Sequence, residues 1–235
     1  MNATVAKQKV DYIVKDVFGV DNPFSLLEFQ QKFAFDIPRV SKRTCALSHK
    51  DTWIASSLDG KIASQAAIEE RFKQDGWIPR NKIITSVADI LKAWDEINYQ
   101  TGEKYINSTN VSESDGIYTS NNVYQSVSVF DSKDIVFSYE LIDCSYMTAS
   151  RDNASCTLGI RVKESIYCSS SFEVSWSNKV SKSMFIHDGY DLYECLFCSH
   201  IRSKKFCIAN MQFEKDEYFR LKKEVIRWIL TRNTS

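Results

Sequence analysis

Glycine is scarce in this chain: there are seven in 235 residues, and none falls in a GxGxxG or GxxxxGK arrangement. No Gly-rich loop is therefore present to cradle a phosphate, and no GxSxG elbow presents a nucleophile. Histidine is scarcer still, with only His49, His187 and His200, which limits acid–base and metal chemistry. Net charge is absent, because 30 basic residues meet 30 acidic ones. The two parts of the chain balance separately: residues 1–110 carry 15 Lys/Arg and 14 Asp/Glu, and residues 111–235 carry 15 and 16. This excludes broad electrostatic affinity for nucleic acid or anionic membrane. No stretch approaches the roughly 20 apolar residues of a membrane-spanning helix. Met1 to Val10 lacks the apolar core of a signal peptide, so the expected location is the cytosol.

What the chain has is a beat of six. Every sixth residue from Tyr118 to Ile208 is mostly apolar, including Val136, Ile142, Ile160, Ile166, Phe172, Met184 and Leu196. The column two places later runs Ser120, Ser126, Ser132, Ser138, Cys144, Ser150, Cys156, Val162, Cys168, Val174, Val180, Ile186, Leu192, Cys198, without a charge. A strand alternates sides, so in Ile166-Tyr167-Cys168 the first and third residues are expected inside and the second outside, with the other half of the hexad turning a corner. Charges collect at the outward and corner places, among them Asp131, Asp134, Glu140, Asp143, Arg161, Glu164 and Glu194. This predicts a single-stranded β-solenoid, a β-helix. With three hexads per coil it would have about 18 residues per coil and about five coils, near 24 Å of stack at ~4.8 Å per rung. The expected solenoid core is Val136, Ile142, Cys144, Cys156, Ile160, Val162, Ile166, Cys168, Phe172, Val174, Val180, Met184, Ile186, Leu192, Leu196 and Cys198. Cys144, Cys156, Cys168 and Cys198 share the uncharged column, and Cys195 and Cys207 share another twelve residues apart; at such stacked places a reduced thiol acts as a small hydrophobe.

Upstream, residues 1–100 read as a mostly helical docking module. Helices are expected over Ala3–Phe18, Phe24–Phe33, Ile62–Phe72 (between Gly60 and Gly76) and Ser86–Tyr99. The last is capped by Ser86 with Asp89 in its first turn, and Ile90, Leu91, Trp94 and Ile97 share one face. Residues 101–117 are polar and read as a linker or lead-in loops, with the solenoid at 118–213. Residues 214–235 form a capping helix and tail. Tyr218, Leu221, Val225, Trp228 and Ile229 make the apolar face of that helix, which protects an end that would otherwise template aggregation. The class is α+β: a helical N-terminal module, a hexad-repeat solenoid and a C-terminal capping helix.

The run Lys205-Phe206-Cys207-Ile208-Ala209-Asn210-Met211-Gln212-Phe213, followed by Glu217-Tyr218 and a charged helix, resembles a group of uncharacterised bacterial and tailed-phage proteins. In that group a Cys-bearing hexad array ends in a similar Tyr/Phe-Cys-Ile-x-Asn-x-Gln-aromatic segment. The resemblance covers about Ser120 to Leu230. It implies a phage or phage-like structural or accessory protein and no catalytic residue.

Candidates for chemistry are few. Cys195-x2-Cys198 with His200 and Cys207 supplies one possible zinc set. His187 or His200 would have to serve as the base of a hexapeptide-type acyltransferase. Asp188, Asp191 and Glu194, three apart, are reminiscent of carbohydrate-cleaving β-helices but should lie on alternate surfaces. Arg39, Lys42 and Arg43 form a small basic cluster. No constellation is complete, so the expectation is a non-enzymatic structural or interaction protein without a cofactor. Its partners would be the proteins of a larger assembly, in host cytoplasm or virion.

Overall fold

The computed structural model describes residues 1–55, 58, 60–73, 78 and 83–231. Gly76 and residues 232–235 of the expected tail lie outside them. Its body is a β-solenoid of about nine turns over residues 105–208. Strands pair in parallel at an offset of twelve: Asn121, Lys133 and Ser145 stack in one column, and Val127, Tyr139 and Arg151 in another. A coil is thus two hexads, not three, and the stack is roughly 40 Å long at ~4.8 Å per rung. It also begins inside the polar stretch expected to be a linker, with strands at Tyr105–Ile106, Thr109–Ser112 and Asp115–Tyr118.

The backbone explains the shorter coil. From Asn107 to Ala209 every third residue has positive φ, between 45° and 69°, and Gly116 is the only glycine among them. Each left-handed residue bends the chain, and four triplets close one turn. One residue in three then points inward. In the coil 133–144 these are Ile135, Ser138, Leu141 and Cys144, all essentially sealed from solvent. Simple strand alternation therefore fails, and the expected core divides. Cys144, Cys156, Val162, Cys168, Val174, Val180, Ile186, Leu192 and Cys198 lie inside the coil. Val136, Ile160, Phe172, Met184 and Leu196 point outward and are buried under helices. Ile142 and Ile166 stand exposed. Ile117, Val123, Val129, Ile135, Leu141 and Met147 complete the interior, in a column that the hexad reading passed over.

Inside, serine acts as a backbone partner more than as a space filler. Ser138 Oγ accepts the Ser150 N–H at 3.3 Å from the next coil and donates to the Val136 carbonyl at 3.0 Å. Ser126 and Ser132 repeat the arrangement with Ser138 and Cys144. Corner N–H groups that the strand ladder leaves unpaired are thereby satisfied in a dry interior. The Cys156 thiol copies the pattern, donating to the Ala154 carbonyl at 3.4 Å and accepting the Cys168 N–H at 3.4 Å.

A left-handed residue other than glycine costs about 1–2 kcal/mol, and a β-branched one fits worst. The left-handed column accordingly contains no Val or Ile, and Thr119 is its one β-branched member. Asp131, at φ 47° and exposed, provides a test. Asp131→Val should lower unfolding free energy by about 1–2 kcal/mol relative to Asp131→Asn, which removes the same charge but tolerates this conformation. Paired urea unfolding curves would show it.

Three helices pack along one flank of the solenoid, two from the N-terminal region and the C-terminal one. α1 (Ala3–Phe18) is capped by the Asn2 side chain, which accepts the Val5 N–H at 3.0 Å, and ends at Gly19 with φ 72°. α2 (Leu26–Phe33) opens with a Ser25/Glu28 capping box. Ala6, Val10, Ile13, Val14 and Val17 of α1 and Phe29 and Phe33 of α2 form one core with Tyr124, Val136, Phe137, Ala149, Ile160 and Phe172 of the solenoid. α1 and α2 thus share a core with the solenoid and are not separate from it. Arg161 and Glu194, read as outward charges, do leave the coil but are buried, Arg161 against Phe33 and Asp36 and Glu194 against Lys222 of the C-terminal helix. α3 (Gln65–Phe72) and α4 (Val87–Ile97) flank a parallel pair, Ile62–Ser64 with Gln100–Gly102, and Val40–Thr44 pairs antiparallel with Asp51–Ala55. The Ser86/Asp89 capping box is present. The apolar face of α4 nevertheless looks outward: Val87, Ile90, Leu91 and Trp94 are more than half exposed, and only Ala93 is buried.

At the far end, Met211–Gln212 folds back antiparallel onto Cys207–Ile208 and pairs the end of the last strand. α5 (Lys215–Leu230) then runs down the helical flank. Tyr218 and Ile229 are buried, Leu221 and Val225 are half-buried, and Trp228 is exposed while packing near Phe185 at 5.8 Å between ring centroids. Among the described residues no helix is long and apolar enough to cross a membrane.

Candidate functional site: an acidic groove on the uncovered flank

The flank opposite the helices carries an open groove of about 720 Å³. One wall is a ladder of carboxylates, Glu140, Asp152 and Glu164, and the other an apolar ladder of Phe130, Ile142, Ala154 and Ile166. Trp176 continues the acidic column and ends the groove. The twelve-residue register builds both walls. Tyr139–Ile142 pairs with Val127–Phe130 below and Arg151–Ala154 above, so chemically similar residues stack one coil apart, at ~4.8 Å. Glu140, Asp152 and Glu164 are the left-handed residues of their coils, with φ 49°, 57° and 47°.

Three carboxylates in a row repel one another. Burial, then the neighbouring Glu140 carboxyl, pushes Asp152 above the ordinary carboxylate range, against the pull of Arg151. Arg151 is the compensating cation: its guanidinium lies 3.1 Å from Asp152 Oδ2 and 3.8 Å from Glu164 Oε1. Its Nε is buried without a partner. The four groups leave a net charge of −2, and Asp131 and Asp143 continue the acidic character beyond the apolar ladder.

The chemistry expected elsewhere does not assemble. Cys195 and Cys198 lie inside one coil and Cys207 stacks on Cys195 in the next, whereas His200 is 68% exposed on the outside. Among the described residues no group of three or more His, Cys, Asp or Glu is arranged to hold a metal. The thiols donate to nearby backbone carbonyls instead, Cys195 to Lys204, Cys198 to Leu196 and Cys207 to Lys205. The Cys195 thiol and the Asn210 N–H pull Cys198 down to about 7, while the Cys198 sulfur pushes Cys195 up. His187 and His200 are both outward, ring centroids 5.5 Å apart, with Nδ1 atoms facing Ser175 Oγ at 3.1 Å and Ser199 Oγ at 2.6 Å. His200 Nε2 lies 3.7 Å from Asp188 Oδ2, but Asp188 already holds Arg202 at 2.8 Å. Asp191 accepts from Ser203 Oγ at 3.0 Å, and Glu194 is buried against Lys222 of α5. The acidic row Asp188, Asp191, Glu194 therefore occupies three surfaces. In the basic cluster Arg39, Lys42, Arg43, Lys42 pairs with Asp51 at 2.6 Å.

No protein family, curated protein or solved structure matches this chain. The sequence signal for the groove was present but dispersed: Glu140, Asp152 and Glu164 are twelve apart, and only a two-hexad coil brings them together.

Proposed function

We propose that this chain is a non-enzymatic structural or interaction protein, a tailed-phage virion or assembly component found in the host cytoplasm and the particle. The solenoid acts as a rigid spacer, and the region before it docks to other proteins of the assembly. The observation that carries this reading is α4, whose Val87, Ile90, Leu91 and Trp94 stand 70, 53, 61 and 55% exposed on one helix. A free apolar stripe of that size marks an interaction surface. The resemblance of the Phe206–Phe213 segment to phage proteins adds the kind of assembly. Affinity purification of the tagged chain from phage-infected cells should recover virion proteins, and Leu91→Asp with Trp94→Asp should abolish that recovery while leaving the melting transition in place. A strictly monomeric chain found neither in virions nor with any host or virion protein would overturn the proposal.

One observation favours an enzymatic alternative. Successive rungs at ~4.8 Å bring carboxylates close to the ~5–5.5 Å separation of retaining glycosidases, and Asp152 is held up as an acid would be. A carbohydrate-active reading would thus rest on Glu140, Asp152 and Glu164 and not on Asp188, Asp191 and Glu194. Release of reducing ends from a polysaccharide panel, lost in Asp152→Asn, would establish it.

A further inference from the structure

The coil closes after twelve residues while the sequence beats in six, so a half-turn about the stack axis exchanges the two flanks. On the covered flank, the largely apolar column Tyr124, Val136, Thr148, Ile160 is buried beneath α1. Lys9 of α1 reaches Asp134 Oδ1 at 2.8 Å, and α5 repeats the arrangement with Lys222 on Glu194. A shift of six residues carries that apolar column onto Phe130, Ile142, Ala154, Ile166 and carries Asp134 onto Glu140. The same corner column then continues through Asp152 and Glu164. The surface that receives a lysine-bearing helix on one flank recurs on the other, where Phe130, Ile142 and Ile166 are 37, 54 and 43% exposed.

Geometry separates the kinds of chain that fit. Rungs repeat at ~4.8 Å, near the ~5.4 Å turn of an α-helix and far from the ~6.8 Å between same-face residues of a strand. α1 shows the match, since its buried residues at intervals of three and four lie across successive rungs. The groove charge of −2 selects cations beside the apolar stripe, and an added cation relieves the repulsion around Asp152. We propose that this groove binds an amphipathic α-helix of a partner protein, with its apolar stripe flanked by lysine or arginine and its axis running along the stack. The inference adds a second docking surface to the interaction-protein reading and does not involve α4.

The probe is a synthetic, end-capped peptide of about 18 residues, with leucines at i, i+3, i+4 and i+7 flanked by lysines and a fluorophore at one end. Anisotropy titrations against the full chain should saturate and weaken with added salt. The Glu140→Gln/Asp152→Asn/Glu164→Gln variant should bind about tenfold more weakly, as expected for losing three exposed ion pairs, and Ile142→Asp should also weaken binding. Ile142 is exposed and the three carboxylates are substituted by isosteres, so both variants should retain the wild-type melting transition. The Leu91→Asp/Trp94→Asp variant should bind like wild type, so a failure of the α4 reading and a failure of this one are distinguishable. Four results would overturn the proposal: no saturable binding, equal affinity for the triple variant, equal binding of a peptide with glutamates for lysines, or equal binding of a peptide interrupted by a central proline. Concentration-dependent self-association lost in Ile142→Asp would assign the groove to a second copy and also overturn it. Polysaccharide cleavage lost in Asp152→Asn would do the same in favour of a sugar.

Discussion

Leu141→Ala should lower unfolding free energy by about 2–5 kcal/mol, whereas Ile142→Ala, one residue along, should cost less than about 1 kcal/mol. Leu141 is fully buried inside the coil and Ile142 is 54% exposed on the uncovered flank. Truncating the first leaves a cavity in an interior that holds four side chains per rung, with coils above and below held apart by their ladders, so collapse is resisted. Truncating the second removes surface contacts only. A three-hexad coil with Ile142 inside predicts the opposite order, so equilibrium urea denaturation of the two variants tests the winding. Equal losses would contradict the triplet geometry.

Arg161→Ala should cost about 3–5 kcal/mol. The Arg161 side chain is 7% exposed and joins the solenoid to the segment after α2. It donates to the Phe33 carbonyl, to Asp36 Oδ1 at 2.8 Å and to Glu173, and its guanidinium stacks 4.5 Å from the Phe35 ring centroid. Removing it strands carboxylates whose charges it compensates, leaving Lys163 as the remaining cation on Asp36. The network also sets an acid limit. Burial tends to raise Asp36, but the bonds from Lys163 and Arg161 outweigh it and hold the carboxyl below its usual range. A depressed folded value contributes stability that is present above the unfolded value of about 3.9 and is lost as pH falls through the folded one. Wild type should therefore lose stability progressively below about pH 4, and Asp36→Asn should show less of that dependence. Melting temperatures across acidic pH would reveal the difference.

The solenoid was legible in the sequence because Ser/Cys residues and apolar residues each return on the sixth place. The number of hexads per coil was not, since two and three generate the same beat. The column from Val136 through Ile142 to Ile160 looked uniformly interior for a related reason. Its alternate members are apolar on different grounds, Val136 and Ile160 being covered by α1 and Ile142 and Ile166 facing the open groove. A finer signal lay in the triplets, where left-handed φ excludes Val and Ile from one column in three. The acidic groove needed the register itself: Glu140, Asp152 and Glu164 are separated corner charges until twelve residues are known to make a turn. The Cys195, Cys198, His200 and Cys207 set failed in the same way, because a spacing of two after Cys198 carries His200 through the wall to the outside.

A twelve-residue coil also gives this protein a unit of length. Duplicating one coil within the array would extend the rod by one rung, ~4.8 Å, and return every later residue to its own face, so the helical cover, the groove and the terminal hairpin would keep their chemistry. Inserting a single hexad would keep the beat intact yet exchange the flanks beyond the insertion, bringing the groove column under the helices and exposing the residues they cover. Related chains of other lengths should therefore differ in their arrays by multiples of twelve, with six avoided.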